Sequence, residues 1–136
     1  MQVELVAESL FEVTLDTMPT PASIFTRHKT TYRPHYSEAR ARAGIVDFND
    51  RKEVILFNED GEVAECTLCN VFFWRDGVWV TPTEASGCLP GLARRWMVEQ
   101  GGAVEAVIQR DEVRHGELVL LSNALYMLQV GRVSLH

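Results

Sequence analysis

Apolar residues in this chain fall into short runs separated by turn formers, and the positions of the breaks predict the elements. Val54-Ile55-Leu56-Phe57, Val63-Ala64, Val71-Phe72-Phe73-Trp74 and Val78-Trp79-Val80 are brief and rich in strand formers, with Asp60-Gly61 and Asp76-Gly77 among the breaks between them. Asp-Gly between two such runs signals a hairpin, because both residues tolerate the positive φ of a tight turn. The pattern predicts an antiparallel meander of about three or four strands, with Glu65-Cys66-Thr67-Leu68-Cys69-Asn70 passing through its interior or along one end. Residues 2–16 predict one or two earlier strands, and Ser23 to Thr26 a short extended piece. Between them Thr17-Met18-Pro19-Thr20-Pro21 is a break, since closely spaced prolines disfavour helix and central strand alike.

Two stretches follow the helical period instead. Pro34 to Val46 puts Tyr36, Ala39, Ala43 and Val46 on one face and Arg40 and Arg42 on others, with Pro34 suited to a first turn. Leu92 to Gln100 forms the second helix, opened by Gly91 and stopped by Gly101-Gly102. Ala103 to Ile108 then reads as a strand and Arg110 to His115 as a short helical turn. Leu118 to Leu121 is a buried strand, interrupted by Ser122-Asn123-Ala124 before Leu125 to Val130. The expected architecture is one α+β domain over residues 1–136, mixed, with mostly antiparallel short strands and two main helices.

A chain of 136 residues buries roughly two thirds of its unfolded surface, enough for one core. A net charge of −6 argues against a general nucleic-acid surface, and no apolar run reaches the length of a membrane span. The opening segment Met1 to Glu8 lacks the basic lead and long apolar stretch of a secretory signal, so a cytoplasmic location is expected. Three cysteines exclude a complete disulfide framework and favour reduced thiols. Cys66-Thr67-Leu68-Cys69 matches C-x-x-C, and with Cys88 and one of His28, His35 or His115 it could make a tetrahedral zinc site. Without a second clustered pair, the spacing suits small buried cysteines better.

Glu65 is the acidic residue to explain, set among strand formers. It either faces outward on a half-solvated strand or lies buried, where an ionised carboxylate needs a counter-charge or donor and a cation is expected to meet it. Lys29 lies among Arg27, His28 and Arg33, and neighbouring positive charge disfavours the ammonium form and favours a nucleophilic amine. A Schiff-base lysine, an acid for a heteroaromatic nitrogen and a glycine turn at a helix start that offers N–H groups to a phosphate are three parts of a pyridoxal-phosphate site. The third part is Gly87-Cys88-Leu89-Pro90-Gly91-Leu92-Ala93-Arg94.

These residues resemble the class IV, or fold-type IV, pyridoxal-phosphate enzymes, a group that includes branched-chain and D-amino-acid aminotransferases and 4-amino-4-deoxychorismate lyase. The resemblance runs from about Phe25 to Val133, carried in order by Lys29 with Tyr32-Arg33, Glu65 through Asn70-Val71-Phe72, Gly87 to Arg94, and Ser122-Asn123-Ala124-Leu125. The lyase branch is nearer, because Ala93 stands where the aminotransferases usually carry Thr. The resemblance implies pyridoxal 5′-phosphate as cofactor, with Lys29 as its covalent anchor and proton carrier and Glu65 as partner of the pyridine nitrogen. It also implies that Leu92 and Ala93 N–H groups, with Ser122, Asn123 and Ala124, hold the phosphate, with Tyr32 and Asn70 beside the cofactor. The implied reaction expels pyruvate from 4-amino-4-deoxychorismate to give 4-aminobenzoate, a step of folate biosynthesis, on a small-molecule amino substrate. A class IV aminotransferase and an inactive truncated paralogue are the alternatives. Family members carry a further N-terminal domain, and the chain matches their C-terminal, cofactor-binding domain. From this follow the expectations that this chain lacks the N-terminal domain and forms a homo-oligomer, with no nucleic-acid or membrane partner.

Overall fold

In the computed structural model of the chain, which describes residues 10–21, 34–47, 50–124 and 127–135, both Asp-Gly pairs turn the backbone as expected. Gly61 has φ 76°, and Asp76 and Gly77 have φ 50° and 84°. Among the described residues the elements are β1 (Phe11–Leu15), α1 (Pro34–Arg42), β2 (Lys52–Phe57), β3 (Val63–Cys66), β4 (Asn70–Arg75), β5 (Val78–Pro82), α2 (Leu92–Glu99), β6 (Val104–Ala106), β7 (Leu118–Asn123) and β8 (Met127–Val133). Single 3₁₀ turns lie at Glu84–Ser86 and Arg110–Glu112. Lys29 and Tyr32 fall outside the described residues, as do residues 2–9 of the first expected strand and Ser23 to Thr26.

The two hairpins, β2–β3 and β4–β5, do not join into the expected meander. The strand order is β3-β2-β1-β8-β7-β4-β5-β6, so β1, β8 and β7 separate the hairpins. The reason is long-range: β1 pairs in parallel with both β2 and β8, and β8 pairs antiparallel with β7, which in turn takes β4. The sheet is therefore mixed, with β5–β6 as a third parallel pair. It also curls on itself, because Val63 N–H donates to Ile108 O (2.7 Å) and Arg110 N–H to Gly61 O (2.8 Å), bringing the β3 edge to the segment after β6.

Inside the curl, Val13, Ile55, Val71, Phe73, Val119 and Leu121 are fully buried. Burial of each such side chain contributes on the order of 1.5–3 kcal/mol. α1 covers the outside of β2 and β3, with Tyr36, Ala39 and Ile45 against Val54, Leu56 and Ala64. α2 lays Met97 on Phe72 beside Ala103. The result is the mixed α+β architecture with two main helices that the residue pattern predicted.

Boundaries moved where backbone geometry overrode periodicity. α1 ends at Arg42, and Gly44 (φ 75°) redirects the chain so that Ile45 is buried while Val46 is 95% exposed. Arg40, expected away from the packed face, is buried. β7 runs on through Ser122 and Asn123 instead of stopping before them, since both pair with β8. The strand expected from Ala103 to Ile108 is confined to Val104–Ala106, and the helical turn after it to Arg110–Glu112.

Candidate active site

Glu65 pairs with Leu56 across the β2–β3 hairpin, and cross-strand partners share a face, which here is the face that α1 covers. Its side chain is buried, not outward. The phenol of Tyr36 donates to Oε2 at 2.5 Å and the N–H of Leu89 donates to Oε1 at 2.9 Å. Both of these described donors are neutral groups. Hydrogen bonds to a charged acceptor are about twice as strong as neutral ones, which is how two such donors help hold a buried carboxylate.

The chain turns directly after Glu65, closed by Cys66 N–H to Cys69 O at 2.8 Å, and β4 starts at Asn70. Asn70 is buried and its Nδ2 donates to Leu89 O at 2.8 Å. Glu65 and Asn70, the two ends of this turn, thus grip the N–H and the C=O of the same residue. Leu89 lies two positions before Gly91, the N-cap of α2, which has extended backbone and no side-chain cap. A Cβ on Gly91 would lie 2.7 Å from Asn70 Oδ1. The first-turn amides of a helix have no intrahelical acceptor, and with the helix dipole they favour an anion. Leu92 and Ala93 occupy that first turn.

Ser122 stands opposite Asn70 in the β4–β7 register, so their side chains share a face. Its Oγ is buried and has no hydrogen-bond partner among the described residues. Asn123 Nδ2 donates to Leu68 O at 3.1 Å, tying β7 to the turn, and Ala124 follows it, exposed. The structure thus brings together Glu65, Asn70, Ser122, Asn123 and the start of α2. Tyr36 and Leu89 belong to the arrangement and were not singled out from sequence. Tyr36 carried only a packing signal.

Arg94, the end of the glycine-turn motif, serves α2 rather than the site. Buried, it donates from Nη2 to Pro82 O at 2.9 Å and pairs with Glu105 at 3.2 Å. The three cysteines are buried free thiols. Burial first, then Cys69 and nearby carboxylates, push the Cys66 thiol well up, and burial lifts Cys88 to about 11 against the opposing charge of Arg94. Thiolate is the nucleophile and ligand form, so these two are chemically quiet.

With this fold and this site, the chain belongs to the class IV aminotransferase family, whose model matches residues 6–133. It is 37% identical over 100 residues to a Schizosaccharomyces pombe protein provisionally named aminodeoxychorismate lyase, covering 71% of this chain and 43% of that protein. To the aminodeoxychorismate lyase of Saccharomyces cerevisiae it is 31% identical over 130 residues, covering 85% and 35%. The chain thus spans less than half the length of either relative. A provisionally assigned amino-acid aminotransferase from Mesorhizobium loti superposes with TM-score 0.78 at 31% identity, over 95% of this chain and 62% of that one. The branched-chain amino acid aminotransferase of Thermobaculum terrenum in its PLP-form shares the fold with TM-score 0.71 at 19% identity, over 91% and 43%.

Proposed function

We propose that the chain forms the pyridoxal-phosphate-binding part of an aminodeoxychorismate-lyase-like enzyme. The observation that carries this reading is the buried Glu65 carboxylate sharing Leu89 with Asn70 at the uncapped start of α2. The residues present fit the cofactor. Ser122 Oγ is a buried hydroxyl in want of a partner, and Gly91 leaves open the space against Asn70 that a side chain would fill. Names of relatives support the finer choice, since two are called aminodeoxychorismate lyase, and the cofactor is supported by an aminotransferase of the same fold solved in its PLP-form.

When bound, pyridoxal phosphate supplies an electron sink for bonds at the substrate carbon. Glu65 would pair with the pyridine nitrogen and favour its protonated form. The N–H groups of Leu92 and Ala93, with Ser122 and Asn123, take the phosphate. Lys29 would be the covalent anchor and the group that carries a proton to and from the substrate. The net reaction converts 4-amino-4-deoxychorismate into 4-aminobenzoate and pyruvate.

Pyridoxal phosphate added to the protein, followed by borohydride reduction, digestion and mass spectrometry, is expected to place the adduct on Lys29. An adduct on Lys52, or none, overturns the assignment. Release of pyruvate together with 4-aminobenzoate then tests the lyase. The aminotransferase reading is favoured by the similarity to the Mesorhizobium loti protein; transfer of an amino group to a keto acid without pyruvate release would select it.

A further inference from the structure

Glu53 is a buried acid on β2 that the site described above does not use. Its Oε1 accepts from Val54 N–H (2.8 Å), Thr67 N–H (2.9 Å) and the Thr67 hydroxyl (2.5 Å). Its Oε2 accepts from Leu68 N–H (3.2 Å) and the Cys69 thiol (3.5 Å). The side chain is 1% exposed, and Arg40 Nη1 lies 3.8 Å from Oε1. Arg40 also donates to Thr67 Oγ1 at 2.9 Å, so one hydroxyl receives from the arginine and gives to the carboxylate.

Four of these five donors belong to Thr67, Leu68 and Cys69, three of the four residues between Glu65 and Asn70. Those are the residues that fix how far the Glu65 carboxylate lies from Asn70, and both ends of the turn hold Leu89 ahead of α2. Tyr36 and Arg40 are four apart on α1, hence on one face, and they press on the same turn at Glu65 and at Thr67. Closing a turn needs only backbone hydrogen bonds. A buried ion pair adds a large desolvation cost that closing the turn does not require.

We propose that Glu53 and Arg40 are a positioning pair: through Thr67 they hold the Glu65-to-Asn70 turn at a fixed distance from the start of α2, and so align the pyridoxal-phosphate ring with its phosphate site. This rests on the cofactor reading above. Glutamine at 53 keeps the size, but its amide nitrogen has no acceptor function and must face donors on one side or the other.

The test uses two readouts on the whole chain. In the cofactor-free protein, amide hydrogen exchange is followed at Leu89, whose N–H is bonded to Glu65 and not to Glu53. Glu53→Gln is expected to speed exchange at Leu89 by tenfold or more while the central β4 and β7 amides stay protected. In the presence of pyridoxal phosphate, the same variant is expected to shift the pH midpoint of the cofactor's absorbance change and raise its Kd about tenfold. Thr67→Val, which removes only the hydroxyl, serves if Glu53→Gln fails to fold, and Thr67→Ser is expected to restore both readouts. Unchanged Leu89 exchange in Glu53→Gln, or in Thr67→Val where that variant stands in, overturns the positioning pair even if the melting temperature falls. Failure of the wild-type protein to take up pyridoxal phosphate overturns the cofactor reading and ring alignment together, and the Leu89 readout then shows separately whether the turn is coupled.

Discussion

Oδ1 of Asn70 stands 2.7 Å from the point a Cβ on residue 91 would occupy, and this contact, not backbone torsion, is what requires glycine there. Gly91 has φ −65°, a value open to any residue. Asn70 has little freedom to yield, since it is buried and its Nδ2 is committed to Leu89 O. Gly91→Ala should therefore push Asn70 or the start of α2 out of place, an overpacking cost of about 1–3 kcal/mol. Denaturant titration should show that loss, and cofactor titration a drop in pyridoxal-phosphate affinity of about tenfold or more. An alanine variant that binds as the wild type does would remove the start of α2 from the site.

Glu65 and its donor Tyr36 should separate under mutation. Tyr36→Phe leaves a buried carboxylate short of one donor, a cost of roughly 1–3 kcal/mol that chemical denaturation can read. Glu65→Gln changes volume little and still offers a carbonyl to Leu89 N–H. The cofactor should still attach to that variant while turnover falls by orders of magnitude, because the ring nitrogen loses its charged partner. Pyruvate release that survives Glu65→Gln would reject the pyridinium role.

What could be read from the residues depended on how local the determinants were. Asp60-Gly61 and Asp76-Gly77 set their hairpins within a few residues, and Gly91 with Gly101-Gly102 bounded α2 to within one residue of its observed end. The strand order was not legible, because it depends on β1 entering in parallel between β2 and β8, contacts more than thirty residues apart in the chain. Glu65, Asn70 and Ser122 stood out through their ordered motifs. Glu53 did not, since Lys52-Glu53-Val54 looks like the polar start of a strand, and four of its donors lie 14 to 16 residues onward, at Thr67, Leu68 and Cys69. The same distance hid Tyr36, whose partner is 29 residues away.

Cys88 gives a pH prediction with a definite sign. Its thiol titrates at about 11 in the folded chain against an ordinary 9.0, chiefly because burial disfavours the thiolate. Above pH 9 the unfolded chain loses this proton first, so the unfolded state binds fewer protons and stability falls as pH rises. The contribution is fully present below pH 9 and gone above about 11, with a span on the order of 2–3 kcal/mol. Thermal melts of the wild type and Cys88→Ala across this window isolate it from other groups: the stability gap should move against the wild type between the two values. Alkylation at pH 8 should also be slow until the chain is unfolded. Rapid labelling of Cys88 in the folded protein would contradict the buried thiol.

Ser122→Ala should pull stability and binding in opposite directions. A buried hydroxyl without a partner costs free energy in the cofactor-free chain, and Ser122 Oγ is such a group among the described residues. Removing an unsatisfied polar atom is neutral to stabilising, by up to about 1 kcal/mol. A phosphate held by the start of α2 would lose one donor, with an expected fall in affinity of about tenfold, since a hydrogen bond to a charged group is worth roughly 1.5–3 kcal/mol. Inorganic phosphate should show the same loss as the full cofactor if Ser122 acts on the phosphate rather than on the ring. A melting temperature that rises or holds while both affinities fall would place Ser122 in the phosphate site. A variant that loses stability with affinity unchanged would instead make the hydroxyl part of the β7 framework.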